Sequence, residues 1–143
     1  MTLQELKTLI AGDANATALL AAKNYAACAT RCVVLAPKIH VPTVLTQRGL
    51  YERLGAVVGE TILQKLESYA SASQALSPVV ARILPWLEPA NEGLDFGDVK
   101  SLEILAALTA ANVFTSEEHT ALVGMSLVFQ TITPSHVELA GLL

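Results

Sequence analysis

Charge is what this sequence is shortest of. Only 15% of its 143 residues are Asp, Glu, Lys or Arg, while 52% are hydrophobic; soluble domains ordinarily carry roughly 25% charged residues. Basic residues are scarcer still. The nine Lys and Arg are scattered, with Arg48 and Arg53 the nearest to a cluster, and the thirteen acids bring the net charge to −4 and the pI to about 5.3. A nucleic-acid footprint needs clustered Lys and Arg, so no nucleic-acid partner is expected.

Long apolar runs are also missing. A bilayer-spanning helix needs about 20 consecutive apolar residues. Lys23 and Asn24 interrupt the alanine-rich start, Glu103 breaks the run from Leu102 to Leu108, and Arg82 and Pro85 break the one from Leu76 to Leu87. The opening Met1-Thr2-Leu3-Gln4-Glu5 has neither the basic nor the apolar region of a signal peptide. The expectation is a chain made in a cytoplasm, with no membrane span.

There is no Gly-x-Gly-x-x-Gly and no phosphate-cradling Gly-x-x-x-x-Gly-Lys-Ser/Thr loop. Two cysteines, Cys28 and Cys32, are too few for a disulfide framework. With His40 they offer three potential metal ligands within a short stretch, but a structural zinc site takes four ligands, and no Asp or Glu falls between positions 14 and 51. The thiols read as small buried apolar side chains, and His40, His119 and His136 as surface residues. Glu117 and Glu118 are adjacent on a helix, so they diverge by about 100° and do not share a face for acid–base work. No catalytic residue, cofactor, metal or small-molecule substrate is expected, and the chain is not read as an enzyme.

What the sequence has in quantity is helix. Thr2-x-x-Glu5 is a capping box, followed by Leu3, Leu6, Leu9 and Ile10 on one stripe. Asp13 or Asn15 caps a second helix and Asn24 a third, which runs from Tyr25 to about Thr30. Pro42 is placed to start a helix that carries Leu50, Tyr51 and Leu54 to Gly55. Further helices follow over Val57 to Leu66, from Ser77-Pro78 to Pro85, from a start capped by Asp95 with Asp98 through Leu102, Leu105 and Leu108 to a close at Asn112-Val113-Phe114, from the second capping box Thr115-x-x-Glu118, and from Thr133-Pro134. Strand-prone Val33, Val34, Leu35, Ile39 and Val41 surround Pro37, so the segment 31–42 is predicted to be an extended arm or loop. The fold class is therefore all-α: one domain over 1–143, a compact bundle of about seven short helices with that single arm.

The mean hydropathy of +0.48 leaves too few charges to cover the apolar surface that any small domain exposes. A partner chain is expected to cover the remainder. Of the large anchors Trp86, Phe96, Phe114 and Phe129, three are expected in the core. Phe129 sits in the apolar stretch from Met125 to Ile132 and is expected outside it. The candidate interface combines the arm (Val33, Val34, Leu35, Ile39, Val41) with Met125, Leu127, Val128, Phe129 and Ile132.

Taken whole, the pattern resembles the small helical proteins encoded in the structural gene modules of tailed bacteriophages. The pieces that carry the resemblance are Thr2 to Leu6 through Ile10 to Asp13, the alanine-rich Ala16 to Ala29, and the start Val41-Pro42. With them go Arg48-Gly49-Leu50 and the block from Leu94-Asp95-Phe96 to Val113-Phe114-Thr115. Cys28, Cys32 and the Tyr51 to Gly59 region lie outside it. The resemblance implies a virion component of the neck, tail or baseplate, partnered by other virion proteins or copies of itself, and brings no catalytic residues. A regulatory or assembly-chaperone helical module that binds one partner transiently is the alternative.

Overall fold

The computed structural model describes all 143 residues and is mostly helical. Nine α-helices are present, not seven: α1 (Leu3–Ala11), α2 (Ala14–Ala21), α3 (Tyr25–Leu35), α4 (Gln47–Leu54), α5 (Ala56–Ala70), α6 (Ser77–Ile83), α7 (Val99–Ala110), α8 (Ser116–Gly124) and α9 (Pro134–Gly141). A 3-10 turn, Leu84–Leu87, follows α6. Four two-residue strands, β1 (Ile39–His40), β2 (Val44–Leu45), β3 (Leu94–Asp95) and β4 (Leu127–Val128), form two small sheets in which β1 pairs with β4 and β2 with β3.

The contacts group the chain into two compact units. The first takes Met1–Ile39 and Val128–Leu143, and the second takes His40–Leu127.

In the first unit, α1, α2, α3 and α9 enclose Leu6, Ile10, Ala16, Cys28, Cys32, Ile132, Val137 and Ala140. The Thr2 capping box forms as the sequence implies. The Glu5 amide donates to Thr2 Oγ1 at 3.2 Å and the Thr2 amide to Glu5 Oε2 at 2.6 Å. Asp13 caps α2 and Asn24 caps α3. The predicted arm is corrected here, because α3 continues through Val33 and Val34 to Leu35. Cys28, Ala29, Cys32 and Ala36 recur at helical spacing and are all buried, and that stripe outweighs the small helix penalty of β-branched residues. Pro37 then ends the helix by forcing Ala36 into an extended conformation (ψ 143°).

In the second unit, Leu50, Ile62, Leu66, Val80, Leu87, Phe96, Leu108 and Leu122 form the core. The expected helix start at Pro42 is also corrected. Val44 pairs with Asp95 and Leu45 with Leu94 in an antiparallel ladder, and α4 begins only after Thr46. Asp95 fixes the corner, its Oδ1 accepting from the Thr43 amide at 2.8 Å and from the Gly97 amide at 2.9 Å. Gly97 is needed there, because a Cβ would stand 1.9 Å from the Val41 carbonyl oxygen. The Thr115 capping box opens α8, and Lys65 of α5 forms an ion pair with its Glu118. Burial pushes the Glu118 carboxyl up, but the Lys65 ammonium and the Thr115 amide together hold it below its usual value.

Candidate functional site

The ten predicted interface residues divide by burial. Met125 and Ile132 are core residues, at 8% and 9% exposure, and are withdrawn from any surface role. Each lies inside an apolar cluster, Met125 in the second unit and Ile132 in the first. Val33, Leu35, Val41 and Leu127 are half-buried. Val34, Ile39, Val128 and Phe129 stand in solvent, with Val34 and Phe129 more than half exposed.

Of the exposed members, Ile39 lines grooves beside α1 in the first unit, and Val34, Val128 and Phe129 do not. A groove of about 750 Å³ is lined by Leu9, Leu35, Pro37 and Ile39, with Gln4, Glu5, Thr8 and Gln130 at its polar margin. A second groove of about 620 Å³ shares Met1, Ile39 and Gln130 with it and continues to Leu6, His136 and Leu139. Gln130 fixes the shared wall by donating from Nε2 to the Pro37 carbonyl at 2.8 Å. Lys38 sits 4.7 Å above the Phe129 ring, so this exposed aromatic carries its own cation. Glu5 is held below the usual carboxylate range first by the Thr2 amide at the helix start, and stays ionised at the groove margin. An apolar floor with carboxamide and hydroxyl margins can take an apolar side-chain row and satisfy the backbone beside it. Thr8 lies one turn beyond Gln4 on α1, the one sequence signal for this margin. Gln130 and Pro37 lie too far apart in sequence to have been paired from it.

The two thiols and His40 lie outside these grooves. Cys28 and Cys32 are wholly buried, and Cys28 Sγ lies 3.4 Å from the Ala16 carbonyl it donates to. Burial raises both thiols, Cys32 to about 11. His40 belongs to the second unit, where its Nδ1 lies 2.6 Å from Ser126 Oγ. That pair, which sequence separation hides, has the residue types of a nucleophile and its base. Ser126 is fully enclosed, and its hydroxyl also lies 3.3 Å from the Val123 carbonyl. No carboxylate is hydrogen-bonded to His40, so the third group of a triad is missing. No three His, Cys, Asp or Glu side chains gather as a metal-ligand cluster.

Trp86 corrects the expected core assignment. It is 51% exposed, whereas Phe96 and Phe114 are buried. Pro85 closes α6 into the 3-10 turn, which turns Leu87 inward and Trp86 outward. No helix is long and apolar enough to cross a membrane. No protein-family model, curated protein or solved structure matches the chain.

Proposed function

We propose that this chain is a non-enzymatic structural component of a tailed-phage particle, at the neck, tail or baseplate. It acts by packing its apolar surface against other virion proteins and against copies of itself. The observation that carries the reading is the set of apolar side chains lining the first unit's grooves, Ile39, Leu139 and Met1 at about half exposure, in a unit that also exposes Val34 and Phe129. A single exposed leucine signifies little, but a lined groove does. Fully burying one such side chain contributes about 1.5–3 kcal/mol, so a few of them offset the ordering cost of a modest interface. The phage setting comes from the sequence resemblance alone.

Size-exclusion chromatography with light scattering on the purified chain tests the packing. Concentration-dependent association, weakened by Ile39→Ser or Phe129→Ser, is expected, and a strictly monomeric chain at all concentrations would count against self-packing. Mass spectrometry of purified particles tests the setting. A chain found in infected cells and absent from particles would favour a transient assembly chaperone using the same grooves.

A further inference from the structure

We infer that the Trp86 loop of the second unit receives a cationic side chain, lysine or arginine, from a basic segment of a partner protein. The inference rests on the reading of the chain as an interaction protein and names the chemistry of one partner.

Trp86 is the chain's sole tryptophan, and the loop that carries it is closed by hydrogen bonds. Leu87 is buried and anchors the 3-10 turn. The Pro85 carbonyl accepts from the Glu88 amide at 3.2 Å and from the Asn91 side chain, and the Glu88 carbonyl accepts from the Asn91 amide at 3.0 Å. An indole presented on a closed, proline-bounded loop loses little entropy on binding, the usual property of an interface anchor.

Beside it lies an open pocket of about 730 Å³ lined by Trp86, Ala90, Asn91, Glu92 and Gly93. Glu92 is a wall of this pocket, and Glu88 and Glu67 face the adjoining cleft of about 410 Å³ across the same turn. None of these three carboxylates is in an ion pair, since the chain's four pairs use Asp13, Glu52, Glu103 and Glu118. Between Lys65 and Lys100 the only basic residue is Arg82. Neither pocket has a basic residue in its lining, so the surface there is aromatic and acidic.

The first unit presents its exposed aromatic differently. There the exposed Phe129 is covered by Lys38 at 4.7 Å, the one cation–π contact in the chain. Tryptophan is the stronger cation acceptor, yet Trp86 has no cation over it and carboxylates next to it. A side-chain ammonium or guanidinium satisfies the ring face and the carboxylate together, which a hydrated metal ion does not.

The test uses the full chain and the emission of Trp86. Acetyl-tetra-arginine-amide is titrated at low salt beside an acetyl-tetra-glutamine-amide control, and the same titrations are repeated by calorimetry on Glu92→Gln and Trp86→Leu. A saturable emission change with the arginine peptide alone is expected. Affinity should fall roughly two- to tenfold in Glu92→Gln, and the heat should be lost in Trp86→Leu, whose fold is checked by circular dichroism. No saturable change, or undiminished heat in Trp86→Leu, overturns the inference. So does a peptide-independent emission change that tracks protein concentration, which would make a second copy the occupant. The association and particle measurements do not depend on Trp86, so either reading can fail alone.

Discussion

Asp13 and Arg31 meet through two parallel hydrogen bonds, Nε to Oδ2 at 3.0 Å and Nη2 to Oδ1 at 2.9 Å, while Asp13 Oδ2 also accepts from the Ala16 amide at 2.9 Å. One carboxylate thus starts α2 and ties it to α3. The guanidinium fork, and after it the Ala16 amide, lowers the Asp13 carboxyl from the usual 3.8 to about 2. A carboxyl depressed on folding contributes stability that is complete above its unfolded value and lost as pH falls through the folded one. The window here runs from 3.8 down to about 2. In thermal melts, Asp13→Asn should lower Tm most above about pH 5, and the difference should close as pH approaches 2. A gap that persists unchanged at the acid end would show that Asp13 acts by some route other than its charge.

Gly97 and Gly124 make a matched pair of substitutions. A Cβ at Gly97 meets the Val41 carbonyl oxygen at 1.9 Å, whereas one at Gly124 meets nothing within 4 Å. Gly97→Ala should cost at least about 2 kcal/mol, since backbone must move. Gly124→Ala, at the end of α8, should be neutral or stabilise by up to about 1 kcal/mol. Urea titrations of the two variants would read both values, and equal effects would contradict the close approach at the Asp95 corner.

The two thiols should be nearly inert in the folded protein. Raising Cys32 from 9.0 to about 11 reduces its thiolate fraction at pH 8 by about two orders of magnitude, and full burial adds a steric block. A thiol-reactive dye should label neither cysteine within minutes and both at once in denaturant. Rapid labelling of the folded chain would mean that α3 opens readily.

Core and groove substitutions should separate stability from association. Leu108 is fully buried, so Leu108→Ala should cost about 2–5 kcal/mol. Phe129→Ser removes an exposed ring and its contact with Lys38, and should change stability by about 1 kcal/mol or less while weakening association. A Phe129→Ser chain that unfolds would place that ring in the fold instead of on its outer face.

Local chemistry was the legible part of the sequence. Thr2, Asn24 and Thr115 cap the helices that the sequence assigns to them, and of the paired candidates Asp13/Asn15 and Asp95/Asp98 it is Asp13 and Asp98 that cap, because each cap is decided within about one turn. The two-residue strands carry no periodicity to read, and the pairing of Val44 with Asp95 joins residues about a third of the chain apart. Val33 and Val34 misled for a definite reason. Their strand preference is weak, and the buried faces of Cys28, Ala29 and Cys32 on the same helix override it. Trp86 misled because hydrophobicity alone does not say which side of a proline-broken turn faces out. The groove margin of Gln4, Thr8 and Gln130 is polar and scattered, and only the folded chain assembles it.

The first unit is sealed by α9, whose Val137 and Ala140 pack with residues of α1 to α3. On a ribosome, those three helices emerge early, and Leu6, Ile10 and Cys32 wait uncovered while the whole of 40–127 is synthesised. The second unit is one uninterrupted stretch and can close first. A released chain cut short before Val137 would therefore display a finished insert between unfinished ends, and that is the form in which a holding factor would find oily surface to grip.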